Sequence, residues 1–418
     1  ILVLAAPSLK RVQEYPGRRF ATYAARNMAP ALSSRRARLA ALLLAALLAL
    51  GAVSGCGLGF GSGEGARGGG GGDGDGAPAV TEFRVSFSGD LLMHQPLLAR
   101  ALANGGGGRY DFAPFFKEIA PWVKAPELAV CHLETPMGPG PPSSYPIFNT
   151  PTDLARSIRK AGWDACTTAS NHSLDQGMAG IEGTVKALDK RGIAHTGSFA
   201  SAEARDEPVI VSVGDVKIGL IAYTDATNGI PLPTPWAVNT YPAENPKAGA
   251  KAILADARRA REAGADAVVV NVHWGAEYAL EPSPFQRELA ERLTGSDLID
   301  AVVGQGPHVV QPIERVNGKF VVFSEGNLVS NQSAAAGLPA HTQDGLIALL
   351  HFRARGDEVR VRRVEYVPVW VRPGDYVVLP ATPDADPGNA EALRASFERT
   401  TAVAGKGKGV KVANFSAP

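Results

Sequence analysis

The chain has 418 residues, 45% of them hydrophobic, and a formal net charge of +1. That length is enough to bury one large core or two ordinary ones. The near-neutral balance excludes the basic footprint of a general nucleic-acid binder, so no nucleic-acid partner is expected.

The first stretch reads as an address. Residues 1–27 precede Met28 and are expected to be an over-extended start without structure. Arg35, Arg36 and Arg38 come just before an uncharged apolar run at 39–53. A membrane span needs roughly 20 apolar residues, so this shorter run fits the core of an export signal. VSGC at 53–56 resembles a bacterial lipobox, in which Cys56 is acylated and becomes the mature N-terminus. The alternative is an ordinary secretory signal with an incidental cysteine. Two or more acyl chains on one residue anchor stably, so the expected location is the cell membrane, lipid-anchored on the extracytoplasmic side. Residues 1–56 thus form an extension plus lipoprotein signal peptide. Residues 57–80, opening GLGFGSGEGARGGGGGDGDGAP, form a glycine-rich linker with too few large side chains to offset the entropy of ordering.

From residue 81 short apolar runs alternate with helical ones, which argues for an α/β fold. Strands are expected at 83–92, 128–134, 163–168, 216–224, 266–274, 300–305 and 319–327, and helices at 152–161, 180–191, 247–263 and 284–293. Residues 345–372 read as an antiparallel hairpin turning at Gly356-Asp357, so a mixed, two-sheet core is favoured over a simple doubly wound sheet. The main domain is placed at 81–380, followed at 381–418 by one helix and a polar tail. Cys131 and Cys166 both sit in apolar strand-like runs. They either pair outside the cytosol or stay as buried thiols.

Strand after strand ends in a residue that can bind metal. SGD carries Asp90, with His94 beyond it; CHLE carries His132 and Glu134; SNH carries Asn171 and His172; NVHWG carries His273; GPH carries His308. Ligands of α/β sheets collect beyond the carboxyl ends of strands. Carboxylate, imidazole and amide oxygens together suit a divalent transition metal. Each element alone is as readily a decorated turn or a satisfied histidine; their recurrence at successive strand ends is the signal. In SNHSLDQG, Asp175 is placed to orient the preceding imidazole, and Gly177 lets the backbone leave sharply.

In order, GDLLMH, HLETP, ASNHSLDQG, HWGAEY, PHVVQPIE and SEGN strongly resemble the bacterial CapA family of capsule-biosynthesis, poly-γ-glutamate synthesis proteins, whose core is similar to calcineurin-like metallophosphatases. The resemblance covers roughly residues 81–371. It implies a two-sheet β-sandwich flanked by helices, with a metal centre at the strand ends. Carried over motif by motif, it implies Asp90, Glu134, Asn171, His172, His273 and His308 as ligands of a divalent ion (Mn, Zn or Fe). It implies His94 as general acid or oxyanion donor, and Asp175 as a supporting or substrate-facing group. One departure stands out. The family commonly shows GHHPHV where this chain has GQGPHV, so Gln305 and Gly306 replace expected imidazoles. SEGN replaces the frequent SLGN, and Glu325 is a candidate replacement carboxylate. The implied role is synthesis, export or attachment of an anionic polymer beside membrane-bound capsule-synthesis partners. The alternatives are a secreted phosphoesterase with a small phosphorylated substrate, or a non-catalytic polymer-binding module.

Overall fold

The apolar periods of the sequence resolve into strands and helices in a computed structural model that describes residues 80–405 and 407–415. The arginine cluster, Cys56 and most of the glycine-rich linker lie outside the described residues. Among the described residues, no helix is long and apolar enough to cross a membrane.

The chain builds part of one sheet, crosses to a second, and returns to finish the first. Strands β1 (Val80–Leu91), β2 (Leu128–Leu133), β3 (Ala165–Thr167) and β4 (Ala194–Thr196) lie side by side and parallel. The second sheet follows: β5 (Val209–Val213), β6 (Val216–Thr224), β7 (Ala267–His273), β8 (Ala301–Gln305), β9 (Ile313–Val316) and β10 (Lys319–Val322), in the order β5-β6-β7-β8-β10-β9. On the return, β11 (Asn327–Val329) and β12 (Asp344–Arg355) share the edge of β1 away from β2, β11 parallel at the end of β1 and β12 antiparallel along the rest. β13 (Glu358–Val371) and β14 (Val378–Pro380) continue outward, antiparallel. The expected C-terminal hairpin is thus β12–β13, with Gly356 at φ 57° supplying the left-handed turn conformation.

Side-chain alternation makes each sheet two-faced. Phe83, Val85 and Phe87 of β1 meet Val269, Val303 and Phe320 of the second sheet in the core between the sheets. The opposite face of the first sheet, with Cys131, Leu133 and Ile347, packs under helices Gln95–Gly105 and Asp153–Ala161. The outer face of the second sheet, with Val268, Val270 and Val302, packs under Pro246–Glu262 and Pro284–Thr294. The result is the expected two-sheet sandwich flanked by helices. Each fully buried valine or phenylalanine here contributes about 1.5–3 kcal/mol relative to exposure.

Three details bear on the site. The β1–β2 register runs from Ser88↔Cys131 to Asp90↔His132, leaving Gly89 as an extra residue. Such a bulge inverts the alternation beyond it, which turns Asp90 to the same side as His132. A Cβ at Gly89 would lie 1.9 Å from the Gly326 carbonyl oxygen, so glycine is required. Secondly, Cys131 and Cys166, directly opposite each other on β2 and β3, form a disulfide. Thirdly, the end of the chain is more than a helix and a polar tail. Helix Ala390–Ala404 buries Leu393 against Trp370 and Leu379, and Arg399 forks onto Asp344 at 2.7 and 2.8 Å. Beyond it, β15 (Val410–Val412) adds a parallel strand to β13, with Val410 reaching the inter-sheet core.

Candidate metal centre

The two sheets bring their strand ends to one place. On β2, Leu128 and Val130 face the inter-sheet core, so by alternation His132 faces it too, and Glu134 follows just beyond the strand. On β7, Ala267 and Val269 face inward, which puts Asn271 and His273 on the same side. The bulge adds Asp90. His308 arrives from beyond β8 with a left-handed backbone at φ 59°, a conformation that costs a non-glycine residue free energy and recurs at functional sites.

Two sets of ligand atoms result, each within 4.8 Å of one another: Asp90, His132 and His273, and Asp90, Glu134 and His308. Asp90 is common to both. The members are almost fully enclosed, Asp90 at 0% and Glu134 at 1% exposure. His308 Nδ1 donates to Asp90 Oδ2 at 3.0 Å, while its Nε2 lies 3.8 Å from Glu134 Oε1. His132 Nδ1 lies 2.9 Å from Thr167 Oγ1, which itself donates to the Cys131 carbonyl; His132 therefore carries its proton on Nδ1 and turns a bare Nε2 inward. That Nε2 lies 3.0 Å from Nδ1 of His273, across the gap between the sheets.

The electrostatics fit a cation. Asp90 Oδ1 and both oxygens of Glu134 are buried without a hydrogen-bond partner, a costly state for carboxylates unless positive charge is supplied. Burial pushes Glu134 up to about 7, the His308 charge opposing it. Burial likewise lowers His132 to about 4 and holds His273 well below its usual range, so both rings are neutral, as metal ligation requires. For His308, burial works against the charge, but Glu134 and the Asp90 hydrogen bond outweigh it and raise the ring to about 9. In the metal-free centre its imidazolium sits between the two carboxylates but leaves Asp90 Oδ1 and both Glu134 oxygens without a hydrogen-bond partner, so the charge of this one ring does not satisfy the site.

The remaining expected residues lie around this cluster rather than within the two sets. His172 Nδ1 is 2.8 Å from Asp175 Oδ2, and that carboxylate also accepts from the Phe148 backbone at 2.7 Å. His172 packs edge-on against Phe148, with centroids 4.7 Å apart. Asn171 donates to Asn228 Oδ1 at 3.2 Å, and its own Oδ1 is buried without a partner. His94 Nδ1 accepts from the Asn331 backbone at 3.3 Å; burial, aided by the His308 charge, lowers its ring to about 4. His94 is therefore neutral near pH 7, with Nε2–H as a hydrogen-bond donor.

Gln305 ends β8 and donates to Glu325 Oε2 at 3.1 Å. The two departures from the family pattern thus touch each other. Glu325 stands outside both ligand sets, and burial drives its carboxyl well above the usual range. Gly306 has φ 107°, and a Cβ there would come 3.1 Å from the His273 ring. His132 is the site member that the motif-by-motif carry-over omitted. The alternation Leu128, Val130, His132 was the signal that could have found it. Asn228, on a loop rich in proline, had no such signal.

Together these features define a class: a two-sheet α/β protein with a buried carboxylate- and imidazole-lined centre at its strand ends. The profile of the bacterial capsule synthesis protein PGA_cap matches residues 84–332, which contain every member of both ligand sets. The chain belongs to that family. It is 25% identical over 272 residues to the capsule biosynthesis protein CapA of Bacillus anthracis, covering 64% of this chain and 63% of that one. It is 27% identical over 210 residues to the PGA biosynthesis protein CapA of Bacillus subtilis, covering 50% and 52%. A probable polyglutamine synthesis accessory protein of Mycobacterium tuberculosis is 30% identical over 183 residues, 41% of this chain and 46% of its own. The matched stretches therefore span less than two thirds of these relatives. Among solved structures, a calcineurin-like phosphoesterase, YfkN from Bacillus subtilis, aligns over 77% of this chain and 97% of its own with a TM-score of 0.45 and 12% identity.

Proposed function

We propose that this chain is a lipid-anchored, extracytoplasmic protein that acts in the synthesis, export or attachment of capsular poly-γ-glutamate through a metal-dependent, phosphoesterase-like centre. The observation that carries the metal assignment is the pair of ligand sets sharing Asp90, with three carboxylate oxygens left without partners. Membership of the PGA_cap family supports the polymer. The disulfide between Cys131 and Cys166 suits an oxidising compartment, in keeping with the export signal and Cys56.

In this reading Asp90, His132, Glu134, His273 and His308 hold a divalent ion, and Asn171 offers its free Oδ1. The ion supplies Lewis acidity toward a phosphoryl-type oxygen and activates water at neutral pH. Thr167 and Asp90 hold His132 and His308 by their Nδ1 atoms, which would leave Nε2 of each ring as the ligating nitrogen. Asp175 holds His172 by Nδ1, leaving Nε2 as the position from which a proton reaches a leaving group. Neutral His94 donates a hydrogen bond without giving up a proton, which fits the oxyanion role better than that of an acid.

Metal analysis of the full chain purified in detergent, combined with a phosphodiester assay, tests the proposal. It expects bound metal and turnover, both abolished in His273→Ala. Metal without turnover on a broad panel would favour the polymer-holding module, and a chain that takes up no metal would refute the centre. Mass spectrometry of the mature N-terminus tests acylation at Cys56.

A further inference from the structure

Outside the centre lies a groove of about 490 Å³. One wall is the loop at Met137 and Pro139, which begins just past Glu134; the other is helix Gly177–Asp189, which follows the His172–Asp175 turn. Lys186, Lys190 and Arg191 line its edge, all exposed, against a single acid, Glu182. Among the described residues, none of the three cations has an ion-pair partner, although others pair freely. The nearest acid along the helix, Asp189, is taken by His195 at 3.1 Å. The helix dipole favours cations at this C-terminal end, which holds them in place without neutralising them. Met137 is buried beneath the loop, and the exposed Pro139 supplies apolar surface beside the cations.

We propose that this groove binds a γ-linked polycarboxylate chain; this rests on the poly-γ-glutamate reading above. The chemistry matches on two counts. A γ-linked glutamate chain carries one free carboxylate per unit, separated by backbone methylenes, and so wants a row of cations beside apolar surface. Its repeat is five backbone atoms. Scaled from roughly 3.5 Å per three-atom residue of an ordinary extended chain, this is about 6 Å. Side chains one helical turn apart, as Lys186 and Lys190 are, stand about 5–6 Å apart at Cβ. Successive carboxylates therefore fall in register with successive cations.

The test uses the full chain in detergent, a fluorescent poly-γ-glutamate oligomer and the variant K186E/K190E/R191E. All three positions are exposed and lie outside the ligand sets, so metal content should stay at its wild-type value and the melting temperature should fall only by the small cost of placing acids at a helix C-terminus. Wild-type protein should bind the oligomer with affinity that falls as salt rises, and the variant should bind about tenfold or more weakly, since three surface attractions become repulsions. Equal binding by the variant would overturn the groove while leaving the polymer reading intact. Failure of the wild type to bind the oligomer at all would overturn both. Equal binding of a polyphosphate of matched charge would overturn the polycarboxylate assignment.

Discussion

Replacing Gly89 by alanine should damage stability and the metal centre together. The new Cβ would lie 1.9 Å from the Gly326 carbonyl oxygen and 3.2 Å from Glu325 Cβ. The first neighbour is backbone and cannot swing away, so β1 and β11 must separate. The same carbonyl accepts the Asp90 amide at 3.1 Å, and that bond goes with it. Overpacking costs about 1–3 kcal/mol, and the hydrogen bond adds about 0.5–1.5 kcal/mol. The sum is a loss of about 1.5–4.5 kcal/mol, measurable as a lower urea midpoint at unchanged slope. If the strand relieves the clash by removing the bulge, Asp90 turns to the opposite face and both ligand sets lose their shared member. Elemental analysis of the refolded variant should then find little bound metal. A variant with wild-type stability and full metal content would refute the account of how Asp90 is aimed.

Three further outcomes are expected. Below about pH 9 the metal-free His308 ring is protonated, and Glu134 takes up its proton below about 7. An incoming ion must displace these protons, so affinity falls as pH falls; calorimetry in buffers of different ionisation enthalpy should count about one proton released at pH 8 and about two at pH 6. A count independent of pH would contradict this. Removing the disulfide in C131S/C166S opens a link across 35 residues of sequence and should cost about 4 kcal/mol of unfolding free energy, read by comparison with the oxidised wild type. Arg399→Ala strands the buried Asp344 carboxylate, whose carboxyl burial already raises. Because that group can take a proton instead, the loss should be about 2–3 kcal/mol at neutral pH and shrink as pH falls, a trend that denaturation at pH 5 and 8 would check.

Much of the fold is written in local pattern. The strand at 216–224 and the hairpin around Gly356 follow from apolar alternation and turn residues, and the structure places them where that pattern does. Strand-end histidines and carboxylates were legible for the same reason, since alternation runs straight to the end of β2 and β7. What alternation cannot carry is a change of phase. The bulge at Gly89 depends on the carbonyl of Gly326, far along the chain, and SGD reads equally well as a turn. The contact of Gln305 with Glu325 is likewise tertiary, so the two departures from the family motifs looked independent in the sequence. Val410–Val412 is too short and too closely flanked by glycine and lysine to signal a strand; β13 supplies the partner that makes it one.

The order in which the chain visits its sheets has a consequence for assembly. Asp90 and Glu134 belong to the first pass through sheet one, His273 and His308 to the excursion through sheet two, and Asn327, which holds His308 at 3.1 Å, to the return. A polypeptide made N-terminus first presents Asp90, His132 and Glu134 long before the imidazoles of His273 and His308. The first ligand set cannot close until about two thirds of the chain has emerged and the second until about three quarters, and non-local pairings of this kind form slowly. Metal loading is thus tied to completion of the fold, and a prematurely ended chain would carry exposed acids and no ion.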